Sequence, residues 1–474
     1  MKDKARTVAS EAGFTAGVSA SVRRRLERGL GATSFGQLVT IIIQLASVPI
    51  LLHAWGAQLY GEWLILFAIP AYLAMADLGF SQSAGNDMTA RVARGDRTGA
   101  LAVFQSLGVL VYAIASIGLV LTMAVVPWLA LADWLNFQAM DAHTVQWVLL
   151  LLGAQVFVAI PDGVTHAGFR AGGEYALHFA GHSVVRLLQF AGIAAVALAG
   201  GGPVAAAAVF VIIRLLATGA FAVAVVRRHP WLRFGTAHAS RAELHHLLRP
   251  ALANMAIPLA NALNIQGMVL VVGAVLGPLA VVVFSTLRIL TRLAVQLVMA
   301  VAHAVEPELA AAYGTKNLTL MRKLFTHTLR AGLWLALLAA LGLVLFASPF
   351  LQLWTHGRVD MQPALFAWLL ASAVASVLWY GAFTVLKSAN RHLRAASAFV
   401  FASAAAVALA AVLLIWTGNL THAGLSLLAM DVMMVAYAFT AAMHLLDERP
   451  ATVLLRAMDP RPLFMLACTR LSFR

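Results

Sequence analysis

Long apolar segments recur along this chain with only short polar breaks between them, and this recurrence restricts its backbone more than any other feature. Inside a bilayer no water is available to pair backbone N–H and C=O groups, so a lipid-spanning segment must satisfy them itself, as a helix does. A helix of about 20 apolar residues covers ~30 Å of hydrocarbon. Twelve such segments are predicted, near 34–54, 60–80, 103–128, 145–166, 180–200, 203–226, 250–275, 279–304, 326–347, 364–386, 395–416 and 421–443. The sequence is 62% hydrophobic and 11% charged, whereas a soluble domain carries about 25% charged residues. The expected fold is therefore all-α, a polytopic membrane protein.

The basic residues test the count. With the N-terminus placed in the cytoplasm, 28 of the 33 Lys and Arg fall in cytoplasmic segments and one, Arg358, falls in an outward loop. The other four, Arg186, Arg214, Arg288 and Arg292, lie inside spans. Such asymmetry is the positive-inside pattern and orients both termini to the cytoplasm. The net charge of +14 thus reflects membrane topology, and no nucleic-acid partner is expected. Residues 1–33 form a basic arm without an apolar core, so no cleavable signal peptide is expected. The single cysteine, Cys468, excludes an intramolecular disulfide.

The chain also repeats itself. Gly56 and Gly277, Gly95 and Gly314, and Gly172 and Ala389 are separated by 221, 219 and 217 positions, near half the length. The second and third pairs lie in "ARGD" and "AYGTKN", then in "FRAGGEYALH" and "LKSANRHLR". This divides the chain into a cytoplasmic arm (1–33), an N-lobe of six spans (34–226), a basic linker (227–249), a C-lobe of six spans (250–443) and a cytoplasmic tail (444–474). An even number of spans per half makes the repeats parallel, an architecture of transporters with a site at midplane between halves.

Residues 60–96, YGEWLILFAIPAYLAMADLGFSQSAGNDMTARVARGD, carry Tyr60/Gly61/Trp63, Asp77/Leu78/Gly79 and Arg94/Gly95/Asp96, and "FQS" follows at 104–106. This stretch resembles the polysaccharide-biosynthesis flippases, the O-antigen or Wzx-type translocases of the multidrug/oligosaccharidyl-lipid/polysaccharide exporter superfamily. "EPELAAAYG" at 306–314 looks like the matching element of the second half. The resemblance implies a bacterial inner-membrane protein that moves undecaprenyl-diphosphate-linked oligosaccharide from the cytoplasmic to the periplasmic leaflet. It also implies a polysaccharide polymerase or chain-length protein as partner. A cation-coupled multidrug exporter of the same fold is the alternative, though it calls for carboxylates facing a cationic drug.

Four arginines interrupt apolar helices. At ~1.5 Å per residue, Arg288 lies ~14 Å, Arg292 ~20 Å and Arg214 ~16 Å into their spans, while Arg186 is ~9 Å from the cytoplasmic face. A central arginine costs about 2.5–3.5 kcal/mol on insertion scales, so an aqueous cavity is expected around them. Arg288 and Arg292, one turn apart, share a helical face and make a fork suited to a diphosphate. Arg214 from the other lobe is expected to complete the grip, with Arg186 as a further candidate. The competing reading has these arginines pairing with Asp431 or capping carbonyls of a neighbouring helix. Asp431 and Asp77 are the candidate counter-ion or ion-coupling acids; Asp77, Glu62, Arg94 and Asp96, near span ends, are read as structural. In the seventh span Asn254 and Asn261 share a face around Pro258, which can kink the helix, so they either meet glycan or bond a neighbouring helix. Pro161 and Asp162 are expected to kink or end the fourth span.

Catalytic signals are missing. No Gly-Lys dipeptide, and hence no Walker A loop, occurs; neither does a His-Glu pair or a G-x-S-x-G element. His178 and His182 share a helical face but lack further ligands for a metal. No enzyme activity, cofactor or metal is expected.

Overall fold

The computed structural model describes residues 20–73, 79–135, 137–459 and 461. The first half comprises α1 (Ala20–Ala68), α2 (Pro70–Leu73), α3 (Phe80–Ala93), α4 (Arg97–Val125), α5 (Leu131–Trp134), α6 (Ala142–Ala159), α7 (Asp162–Ala171), α8 (Tyr175–Leu198) and α9 (Pro203–Arg228). The second comprises α10 (Arg241–Ala262), α11 (Met268–Leu276), α12 (Pro278–Gly314), α13 (Leu318–Thr355), α14 (Pro363–Ser388), α15 (Leu393–Thr417), α16 (Thr421–Met434), α17 (Thr440–Leu446) and α18 (Pro450–Met458). π-helical turns join α10 to α11 (Leu263–Gly267) and α16 to α17 (Val435–Phe439).

Among the described residues eleven helices are long and apolar enough to cross a membrane. Eleven replaces twelve because the first two expected spans share one element, Gly31–Ala68, folded back at Gly56. Past the expected end of the second span lies α3, polar in sequence but burying Phe80, Ala84 and Met88, four residues apart, in the apolar core at that end of the first half. The expected 81–100 loop is helical up to Ala93 for that reason. Pro161 ends α6, and Asp162 opens α7, because proline has no N–H for the ladder.

The repeat is visible in the backbone. Gly56 (φ 74, ψ 172) and Gly277 (φ 83, ψ 178) adopt the same conformation, one essentially confined to glycine. The next turn is matched too, but Gly95 (φ 83) coincides with Lys316 (φ 55), and Asp96 and Asn317 cap the following helices by accepting from Gly99 N and Leu320 N. The equivalence is thus 221 positions throughout that region, and the pairing of Gly95 with Gly314 is corrected. Gly173 (φ 78) and Asn390 (φ 54) close the third matched turn at 217.

Packing differs between the two ends of the bundle. At the end that holds Gly56 and Gly277 a single apolar cluster draws on both halves, among them Leu51, Trp63 and Leu66 with Val281, Phe284 and Leu365. Arg358 donates to the Leu52 carbonyl (2.6 Å) and Trp354 to the Leu45 carbonyl (2.7 Å) across this seam. At the basic end the apolar core splits into two: one around Phe104 and Phe169, another around Phe325 and Phe439. The chief bridge there is α10. Glu243 on it receives two bonds from Arg91 (2.9 and 2.6 Å), and Leu247 and Ala251 enter the first half's core. The expected 227–249 linker is therefore mostly helix at its ends, with α9 reaching Arg228 and α10 starting at Arg241.

Candidate functional site

Two cavities with charged side chains on their walls lie among the helices, one in each half. The first, about 520 Å³, is lined by residues of α6, α7, α8 and α9. Arg214 and Asp162 meet on its wall at 2.5 Å, both buried. His182 Nε2 stands 3.6 Å from the same carboxylate, and its ring lies 4.6 Å from that of His178. His178 contacts the Thr165 hydroxyl at 3.2 Å, and His166 lies edge-on to it at 5.2 Å. Arg186, exposed at the cavity rim, donates to Thr40 and to the Gly36 carbonyl of α1.

The second cavity, about 80 Å³, is lined by Arg288, Arg292, Asn264, Trp379, Tyr380 and Asp431, among others. A π turn leaves carbonyls outside the regular ladder, and Arg288 takes one of them: its Nη2 donates to Asn264 O (2.9 Å) and Oδ1 (2.5 Å). Arg288 Nη1 is buried and has no acceptor among the described residues. Gln296, also on the wall, donates to Gln44 of α1 (3.1 Å), so this cavity borders the seam between halves. Thr40 and Gln44 are one turn apart, and the two cavities flank the same stretch of α1.

Several expectations change. Arg214 does not join Arg288 and Arg292, since it faces the other cavity and is engaged by Asp162, whose counter-ion role the sequence reading missed. Asp431 forms no ion pair among the described residues; it accepts from Ser372 Oγ (2.5 Å) and Trp379 Nε1 (2.8 Å). Asn254 donates to Ser83 Oγ of α3 (3.0 Å), a bond between helices, and lines neither cavity. Asn261 is half-buried and also absent from both linings. Asp77 lies outside the described residues. Arg288 and Arg292 do share one cavity. Glu62 is fully buried and accepts from the N–H groups of Gln138, Ala139 and Met140 at 2.7–2.9 Å, fixing that loop.

The halves treat one position in opposite ways. Asp162 and Trp379 are 217 positions apart, as are Arg214 and Asp431. The first half thus presents Arg214 to Asp162 where the second presents Asp431 to Trp379.

Solved structures supply the comparison. The chain superposes with a TM-score of 0.68 on the inward-facing conformation of a multidrug resistance MATE family transporter of the MOP superfamily, at 16% identity, over 87% of this chain and 94% of that one. It has the MATE fold. The outward-facing conformation of a multidrug resistance MATE family transporter gives 0.61 at 16% identity, covering 89% and 95%. A MOP superfamily transporter from Pyrococcus furiosus Vc1, described as having a binding pocket of reverse polarity that suggests a different function, gives 0.62 at 16%, covering 89% and 95%. No family model and no curated protein matches the sequence.

Proposed function

We propose that this MATE-fold chain is an alternating-access transporter of an anionic amphiphile, and that its cargo is a lipid-linked oligosaccharide diphosphate. One observation carries the reading. Arg288 and Arg292 share a seam-side cavity, neither is ion-paired among the described residues, and a buried Nη1 of Arg288 has no acceptor. A diphosphate offers the planar, multiply charged acceptor that such guanidiniums bind in bidentate fashion. The single core at one end and the split cores at the basic end fit a state open towards the basic face, as does the higher TM-score with the inward-facing transporter. Under the positive-inside pattern that face is cytoplasmic, and the flippase resemblance implies a bacterial inner membrane with the cargo carried to the periplasmic leaflet. Sugars and diphosphate enter between N-lobe and C-lobe while the polyprenyl chain stays in lipid.

The second reading, a cation-coupled multidrug exporter, is favoured by the comparisons, in which multidrug MATE transporters recur, and by a buried acid in each cavity, Asp162 and Asp431. Against it, Asp162 is already neutralised by Arg214, and Asp431 shares its cavity with two arginines.

The test uses a strain lacking the gene, complemented with Arg288→Ala, Arg288→Lys and Arg292→Ala at matched expression. The expected result is lipid-linked glycan trapped in the inner leaflet with both alanine variants, and partial rescue by lysine, which keeps charge but not the fork. Full rescue by all three removes the arginines from the mechanism.

A further inference from the structure

A third hollow, about 590 Å³, lies at the basic end on the rim of the second half. The turn between α14 and α15 forms one wall and α17 the other, so it sits where spans emerge from the bilayer. Arg391, Arg394 and His444 line it together with Leu393, Tyr437 and Leu445, and no acidic side chain does. Neither arginine is ion-paired among the described residues. The acids nearby are engaged elsewhere. Glu306 takes Lys387 at 2.8 Å, Asp447 takes Arg322 at 3.2 Å, and Glu448 takes Arg456 at 3.1 Å.

The matched turn of the first half is an internal control. There Glu174 stands 217 positions before Arg391, and it holds Arg228 at 2.9 Å and His229 at 3.3 Å. Where the first half pairs Arg228 with a built-in carboxylate, the second has an arginine in the carboxylate's place. The hollow is also amphipathic, with Leu393 51% and Tyr437 42% exposed towards the rim. A small hydrated anion has no use for that apolar surface. A molecule with an anionic head and an acyl chain uses both parts.

We propose that this hollow binds an anionic phospholipid of the leaflet at the basic end, its phosphate between Arg391 and Arg394 and one acyl chain along Leu393 and Tyr437. A juxtamembrane cation is worth about fivefold in affinity for anionic lipid. Zwitterionic lipid, whose head carries its own cation, gains little from a pair of arginines.

The test is a titration of the purified full-length protein in detergent, read by native mass spectrometry and by thermal melting, with dioleoyl phosphatidylglycerol, dioleoyl phosphatidylcholine and sodium phosphate as separate ligands. Phosphatidylglycerol is expected to bind and raise the melting temperature, with phosphatidylcholine and phosphate far weaker. Arg391→Gln and Arg394→Gln each weaken it on the order of fivefold, and together by tenfold or more. Arg227→Gln, on the first half, leaves it unchanged. Should the double variant fail to fold, the single variants decide. Equal binding of both lipids, equal protection by phosphate, or single variants within error of the parent overturns the proposal.

Discussion

Arg214 and Arg288 are both buried guanidiniums, yet their partners assign them different tasks. Arg214 meets Asp162 at 2.5 Å, and removing one member of a buried pair leaves the other uncompensated, at a cost of about 3–5 kcal/mol. Asp162→Asn is therefore expected to lower the detergent melting temperature sharply, Arg214→Gln likewise, and the double variant less than the sum of the two. Strictly additive losses would mean the pair contributes no coupling. Arg288 instead holds the π turn at Asn264 and keeps one donor free. None of this division was legible in the sequence. Asp162 lies 52 positions from Arg214, and which acid meets which arginine depends on how helices are rotated against each other. That these arginines interrupt long apolar helices could be read, because it follows from counting along the sequence.

Helices and turns were far more legible. Apolar length located the spans, and glycines marked where two of them turn back. Span ends were misread wherever polar helix packs on protein and not lipid, as in α3, and the π turns escaped notice because no residue type marks an added carbonyl. Gly56 and Gly277 give the sharpest prediction for these elements. Their φ and ψ strain any L-residue, while an added Cβ meets nothing within 4 Å at either place. Gly56→Ala and Gly277→Ala should each destabilise by about 1–3 kcal/mol through backbone strain alone. Gly314→Ala, at a helical position with equal space and no positive φ, should be neutral or stabilising. Equal effects of all three in thermal melts would refute the shared backbone strain.

Across the whole molecule, the seam closes at one end and is bridged chiefly by α10 at the other, and the proposed transport requires the halves to rock about the closed end. Gln44 and Gln296 touch across that seam, so cysteines there are within reach of a short bifunctional thiol crosslinker once Cys468 is replaced by serine. Bridging Gln44→Cys to Gln296→Cys should stop transport and reduction should restore it; bridged protein working at the parent rate would show that this contact need not open. The charge of the cargo can be read in proteoliposomes containing the purified parent protein. Movement of a fluorescent polyprenyl-diphosphate sugar between leaflets is compared with export of ethidium, and each with the Arg288→Ala/Arg292→Ala variant. The diphosphate lipid is expected to move in the parent and not in the variant, and ethidium is expected to stay in place. Ethidium export by the parent, with the diphosphate lipid left in place, would contradict an anionic cargo.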